Sequence, residues 1–351
     1  MGVDNPRTSV TGVSGAIKKT VYIATSRARA DDPNILFTGE RHVEGVQYAK
    51  VDIYIPPNHK PGYVERPKSV PPDPKNEFVI LNPIVFPNKQ AFRDDLDKAL
   101  AGRSLKDRHS MLFVHGFNTD FVASVSRAAQ IAYDSGFSGI PVVFSWASRG
   151  KTLDYVYDLN SALIARDDLV TTANVVVSTR TTGMDVIAHS MGNLLTVEAM
   201  RQGEITNAFN TTEKLENIIL ASPDIDADLF AKQMQPFAKS QRRFYVLISS
   251  DDKALSISRR ISGGVDRVGN EPAEELSKLG VTVIDLSKIK DTSSLDHTKF
   301  ADSPEIVQLI GERINEGDTI GDARTSMIGN VPAAAKVLTG SGSGGAIVVF
   351  N

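Results

Sequence analysis

The chain has 351 residues, 41% of them hydrophobic, enough for a substantial core in one large α/β domain or two small ones. Its 39 Lys and Arg against 42 Asp and Glu give a net charge of −3, so there is no basic field to hold nucleic acid or anionic lipid. The absence of cysteine excludes disulfides, thiolate zinc sites and a cysteine nucleophile, and no apolar run reaches the roughly 18 residues of a membrane span.

Residues 1–18 are polar and turn-rich and are expected to form a flexible arm. The opening Met1-Gly2-Val3-Asp4-Asn5-Pro6 is not a secretory leader, so the expectation is a soluble, cytoplasmic protein as the chain is written, or a periplasmic or exported one if a leader was trimmed. Val21–Thr25 and Tyr48–Ile55 read as strands, the second with Val51, Ile53 and Ile55 alternating against polar neighbours. Pro56 and Pro57 end it, and the prolines from Pro61 to Pro74 form an extended surface connection, because they cannot donate to a sheet ladder. Phe78–Leu81 and Ile84–Phe86 resume strand character, and Gln90–Leu100 is helical, with Phe92, Leu96 and Leu100 on one face.

Strand and helix then alternate. Met111–Val114 is a continuous apolar run of the kind buried on both faces of a parallel sheet, and a helix follows from about Phe121 to Ser135. Val142–Trp146 is a strand and Ser161–Thr179 a helix. Gly183–His189 is a strand that runs through Ser190 straight into a helix. Ile218–Ala221, Phe244–Ile248 and Val281–Leu286 are strands, followed respectively by helices over Asp228–Phe237 and to Ile261, and by a loop with His297 before a helix over Pro304–Ile314. Residues 19–316 form one domain, and residues 317–351 a partly flexible tail whose apolar Ile347–Phe350 docks on it. Repeated βα units make a mostly parallel sheet with helices on both faces and antiparallel N-terminal strands, in which ligands bind at the carboxyl ends of the strands.

The chemistry is organised around Ala188-His189-Ser190-Met191-Gly192. A small residue two positions either side of a serine, with a buried strand before and a helix after, is the spacing of a nucleophile elbow, with alanine in the first glycine slot. The alternative is an ordinary N-cap serine on a βα turn. A serine hydroxyl needs a base to take its proton and an acid to orient that base. Of the six histidines, His42 and His59 lie in the polar N-terminal region and His109 at the wrong end of the sheet. His115 belongs to the loop after another strand and His189 points away from the serine's reacting face, which leaves His297. For the acid, Asp252 and the pair Asp224 and Asp226 follow neighbouring strands. Asp252 is preferred because it gives the chain order Ser190, Asp252, His297, although it also fits an N-cap; Asp251 is expected to be its solvated neighbour. Oxyanion donors are expected from the N–H groups of Met191 and Phe117, with Gly116 letting the backbone approach. His115 and Trp146 are expected to line the substrate site, with Tyr155 and Tyr157 near the same loop, although core packing is an equal reading of Trp146.

Through Phe113-Val114-His115-Gly116-Phe117-Asn118, Phe144-Ser145-Trp146, Ala188-His189-Ser190-Met191-Gly192-Asn193, Ser222-Pro223-Asp224-Ile225-Asp226, Asp252-Lys253-Ala254-Leu255 and His297, the sequence resembles the α/β-hydrolase superfamily, over roughly residues 20–316. It is most similar to a bacterial esterase/lipase-like group of largely unassigned function. The resemblance implies serine-dependent hydrolysis of a carboxylic ester or similar acyl bond in a small-molecule substrate, without a cofactor or metal. The same residues would serve an amidase or thioesterase, and a non-catalytic binding protein on this fold is the rival from another class.

Two other patterns are set aside. Gly150-Lys151-Thr152 lacks the upstream glycine of a phosphate loop, its place being taken by Ser145. Asp224, Asp226 and Asp228 imitate a calcium loop but have Leu229 and Gln235 where its glycine and bidentate glutamate belong. Asp167 and Asp168 are expected on a solvated helix face.

Overall fold

Leu112 and Val114 of the strand before the His115 loop enter one hydrophobic cluster, and Met111 and Phe113 enter another on the opposite side. A strand buried on both faces needs helices on both, and that requirement shapes the chain. The computed structural model describes residues 15–32, 35–68, 72–238, 243–261, 263–289, 299–303, 306–308, 335–339 and 345–350.

The elements begin with β1 (Ile17–Thr25), a small antiparallel ribbon of β2 (Arg27–Arg29) and β3 (Phe37–Arg41), then β4 (Gln47–Ile55), β5 (Val79–Phe86) and α1 (Lys89–Ala101). The alternating part contains β6 (Ser110–Val114), α2 (Phe121–Asp134), β7 (Ile140–Ser145), α3 (Tyr155–Ile164), α4 (Arg166–Val177), β8 (Met184–His189) and α5 (Met191–Ile205). It continues with β9 (Leu215–Ala221), α6 (Ala227–Gln233), β10 (Phe244–Ile248), α7 (Lys253–Ile261), α8 (Ala273–Lys278), β11 (Thr282–Asp285) and α9 (Lys299–Asp302). Two strands close the chain, β12 (Ala335–Thr339) and β13 (Ala346–Phe350).

Among the described residues, eleven strands form one sheet in the order β12-β13-β11-β10-β9-β8-β6-β7-β1-β4-β5. The run from β11 to β1 is parallel, β4 and β5 continue it as an antiparallel meander, and β12 lies antiparallel on β13. This is the mostly parallel sheet with antiparallel N-terminal strands that the sequence predicts. Helix starts follow local chemistry: Asn88, Asp120 and Asp226 each accept a hydrogen bond from the backbone N–H three residues on.

Several elements differ from expectation. β1 starts at Ile17, because Ile17 to Thr20 pair with Ile55 to Asp52 of β4 and so extend the ladder into the segment read as an arm. Phe78–Leu81 and Ile84–Phe86 join as one strand, with Asn82 at φ 51° where its register against β4 slips between Lys50 and Asp52. The single helix expected over Ser161–Thr179 starts at Tyr155 and breaks at Ala165, so Asp167 and Asp168 lie in the first turn of α4, where the helix dipole favours acids. In the C-terminal segment, β13 pairs in parallel with β11, Val283 opposite Ile347. Residues 1–14, the loop carrying His297, and most of the helix expected over Pro304–Ile314 lie outside the described residues.

The position of the site follows from strand order. The chain leaves β6 for β7 on one side and comes back to β8 on the other. Accordingly, α2 packs on one face with Phe121 and Val125, and α5 on the other with Leu194 and Leu195. Where successive connections depart to opposite faces, a crevice opens between the carboxyl ends of the two strands. The His115 loop and Ser190 lie at the carboxyl ends of those two neighbouring strands.

Candidate active site

Ser190 sits between β8 and α5 with φ 53° and ψ −126°, a backbone conformation that costs a non-glycine residue on the order of 1–3 kcal/mol. Neighbouring strands hold it there. Its N–H donates to the Ala221 carbonyl at 3.0 Å, and Asn193 Nδ2 donates to the carbonyls of both Ser190 and Ala221 at 2.9 Å. Clearance is required from β6: a Cβ on Gly192 would strike the carbonyl oxygens of His115 and Val114. Ala188 packs its methyl into the core instead, so the two small residues of the pentapeptide are small for different reasons.

The loop after β6 lies against this turn. A Cβ on Gly116 would also come within 3.0 Å of His189 Nδ1. Asn118 adopts φ 54°, the left-handed region that asparagine tolerates. Among the described residues, no acceptor meets the N–H of Phe117 or of Met191.

His115 and Trp146 stand behind the loop and do not face solvent: His115 is 1% exposed and Trp146 0%. Their rings stack at 4.9 Å and 9°, and the indole N–H donates to the His115 carbonyl at 2.7 Å. Burial, with the nearby Arg27 charge, pushes the His115 pKa down to about 3, so the ring is neutral at any working pH. A neutral imidazole has one N–H, and both ring nitrogens face carbonyls, Nδ1 that of Gly116 at 2.9 Å and Nε2 that of Trp146 at 3.1 Å, with the Arg27 guanidinium 3.4 Å from Nε2, so the single N–H serves one of the two carbonyls. Sequence reasoning set both residues at the substrate; the structure uses them to brace the loop from within.

Arg27 was missed, since a lone arginine one residue past a strand carries no signal until the fold surrounds it. Its guanidinium is wholly buried, donating to Ser145 Oγ at 2.9 Å and to the carbonyls of Ser148 and Thr119 at 2.7 Å each. Burial lowers its pKa to about 10, which leaves it charged at neutral pH. Asp158, also buried, accepts from Ser148 Oγ at 2.5 Å and from the Arg149 N–H at 3.0 Å. Burial raises its pKa. Together these groups tie the segment Gly116–Thr119 to β2, to the end of β7 and to the loop after it.

The two acid candidates are placed differently. Asp224 has a full set of neighbours: it accepts from Ser258 Oγ at 2.6 Å and Tyr155 Oη at 3.0 Å, and lies 3.3 Å from Arg267 Nε. Asp226 caps α6. Asp252, buried at the end of the loop after β10, accepts the Leu255 N–H at 3.0 Å through Oδ1 and so caps α7. Asp251, expected to be merely solvated, holds Lys299 Nζ at 2.7 and 2.8 Å. His297 lies outside the described residues. Tyr155 meets the Phe117 ring at 5.2 Å and 70°, whereas Tyr157 lies under the Arg149 and Arg41 guanidinium groups, 3.6 and 4.0 Å from its ring centre.

At the amino end of the sheet, His109, Asp185 and Glu216 form the one group with metal-ligand chemistry among the described residues. There His109 Nε2 pairs with Asp185 at 2.6 Å, joining the starts of β6 and β8. No helix among the described residues is long and apolar enough to cross a membrane.

Residues 88–313 match the model of a family described as alpha/beta hydrolase of unknown function (DUF900). No curated protein matches the sequence. Among solved structures, an esterase from Pyrobaculum calidifontis in a monoclinic crystal form is 11% identical, with 78% of this chain and 82% of that one covered and a TM-score of 0.38. A second structure titled as a hyperthermophilic esterase from the same archaeon is 11% identical, with 66% and 94% covered and a TM-score of 0.36. Lipase B of Aspergillus fumigatus is 13% identical, with 42% of this chain covered, a TM-score of 0.27, and only 39% of the lipase spanned. With every one of these scores below 0.5, the assignment rests on the family match and the sheet topology.

Proposed function

The chain belongs to this α/β-hydrolase family of unknown function, and on that premise we propose that it is a serine-dependent carboxylic-ester hydrolase working through an acyl-enzyme. The observation that carries the reading is Ser190: a strained serine at the start of α5, facing a glycine loop whose Phe117 N–H has no acceptor among the described residues. An ordinary N-cap serine would accept a hydrogen bond from the helix start, and Ser190 makes no such bond.

In the proposed reaction Ser190 Oγ attacks the acyl carbon while His297 takes its proton. The Phe117 and Met191 N–H groups receive the developing oxyanion, each worth about 3–4 kcal/mol of barrier. His297 then protonates the leaving alcohol, which departs as the acyl-enzyme forms. Water attacks that ester with His297 again as base, and the carboxylic acid leaves as Ser190 regains its proton. Asp252 holds the imidazole through a carboxylate oxygen while its other duty, capping α7, fixes its own orientation. Asp224, already engaged by Tyr155, Ser258 and Arg267, serves the wall of the crevice.

The test is labelling with a fluorophosphonate, which reacts only with an activated serine, alongside turnover of p-nitrophenyl acetate. Wild-type protein should label and turn over, and Ser190→Ala and His297→Ala should do neither. Labelling that survives Ser190→Ala would sink the reading. A graded panel of esters, amides and thioesters then reads out the bond cleaved and the acyl length.

A further inference from the structure

Thr196, Ala199, Met200 and Gly203 are spaced three and four residues apart, so they share one face of α5. That face does not close on its neighbours. Between α5, α4 and the strands beneath them lies a cavity of about 80 Å³, several times the space one water needs. Leu112 of β6 and Val186 of β8 form its floor, and Leu169 and Ala173 of α4 stand across from α5.

The cavity is deep at one end and open at the other. Thr196, Leu112 and Val186 are buried, whereas Asn174, Thr211 and Thr212 are exposed and stand at its mouth. The loop after α5 folds back to make that rim, with the N–H groups of Ala208 and Phe209 both donating to the Gly203 carbonyl. Gly203 lies about 20 Å along α5 from Ser190, so the mouth opens at the other end of the helix from the candidate active site.

One polar atom at the inner end is unmet. Thr196 is wholly buried, and its Oγ1 has no hydrogen-bond partner, not even the carbonyl one turn back that a helical threonine often takes. An orphaned hydroxyl is costly in an apolar wall and calls for a partner. A single water is a poor one, because it needs two to four polar groups and the inner end offers this hydroxyl alone among the described residues. A molecule with an apolar body and one polar oxygen satisfies both the hydroxyl and the walls. None of the lining residues is charged, so that oxygen belongs to a neutral group.

We propose that this cavity is a second binding site, separate from Ser190, for a small neutral aliphatic alcohol. Its hydroxyl pairs with Thr196 Oγ1, and its chain runs along α5 toward the mouth at Gly203. The site stands independently of the serine-hydrolase reading.

The experiment titrates hexan-1-ol into the full chain labelled with ¹³C at the methionine methyls. Met184 and Met200 line the cavity, while Met191 adjoins Ser190. The Met184 and Met200 signals should move together and saturate with a Kd on the order of 1 mM, with Met191 stationary. Hexanoate, whose charge finds no partner there, should bind at least about tenfold more weakly. Thr196→Val keeps the shape and removes the hydroxyl, and should weaken hexan-1-ol binding about fivefold. Ala199→Leu fills the cavity and should abolish the shifts; should it fail to fold, Ala173→Leu fills the same space from α4 and is read instead. Shifts that are absent, that do not saturate or that Met191 shares equally overturn the site, as does undiminished binding to a folded cavity-filling variant. Equal binding of hexanoate, or equal affinity in Thr196→Val and wild type, overturns the assignment of a neutral alcohol held by Thr196.

Discussion

Gly116 and Ser190 are packed so closely that a Cβ on the glycine would stand 2.7 Å from the Cβ of the serine. The two follow different strands, β6 and β8, and meet because those strands are neighbours. Gly116→Ala must therefore displace the loop that carries Phe117. The expected outcome is a fall in kcat on p-nitrophenyl acetate of about 10- to 100-fold, the scale of losing one oxyanion donor, with the fold retained. Gly192→Ala runs into the backbone carbonyls of His115 and Val114, the second of them in the central strand β6, and should cost about 3 kcal/mol of stability in a denaturant melt. An active Gly116→Ala enzyme would argue that the loop does not serve the serine.

Asp252 and Asp224 can be separated by asparagine. Asn caps a helix as well as Asp does, so Asp252→Asn keeps α7 capped while removing the charge. It should leave the melting temperature close to wild type and reduce kcat by about 10³- to 10⁴-fold. Asp224→Asn removes a buried partner of Arg267 and should cost about 2–4 kcal/mol of stability while keeping most of the turnover. Equal damage to turnover from both would reassign the acid.

Arg27 serves several acceptors from one planar fork, which a lysine ammonium cannot match. Arg27→Lys should destabilise the protein by about 2–3 kcal/mol through the buried acceptors it leaves unmet. Because one of those acceptors is the Thr119 carbonyl, beside the Gly116 loop, kcat should drop as well, with KM little altered. A stability loss without any change in kcat would mean that the network braces the core and not the loop.

His59 offers a pH test away from the site. It lies between Glu65 at 2.7 Å and Asp134 at 2.9 Å. Burial alone would lower its pKa, but the two carboxylates outweigh burial and raise it. Its contribution to stability is thus fully present below the unfolded value of about 6.5 and is lost as pH rises through the higher folded value. His59→Gln should lower stability by roughly 2 kcal/mol at pH 6 and by much less at pH 9. A pH-independent difference would show that the imidazole is neutral in the fold. Turnover, separately, should rise through about pH 6–7 as the catalytic histidine loses its proton. His115, with its pKa down at about 3, adds nothing in that range.

The sequence by itself determined the central strands and the class of sheet. Met111–Val114, Phe244–Ile248 and their like are apolar on both faces, and a strand of that kind is stable only between two layers of helices. The turn at Ser190 was legible too, because its small neighbours and its strand-to-helix context are local. The first residues of β1 and the pairing of β13 with β11 as a strand of the main sheet were not, since those residues become strand only when a neighbouring ladder supplies their hydrogen bonds. Only the tertiary structure decided which side chains surround the serine. Strand order brought Gly116 against Ser190, closed a pocket over Arg27, turned His115 and Trp146 inward, gave Asp224 partners of its own, and tied Asp251 to Lys299 across 48 positions of sequence. The physical reason is that periodicity and capping act over a few residues, whereas burial, charge pairing and steric clearance depend on which distant segments the topology makes neighbours.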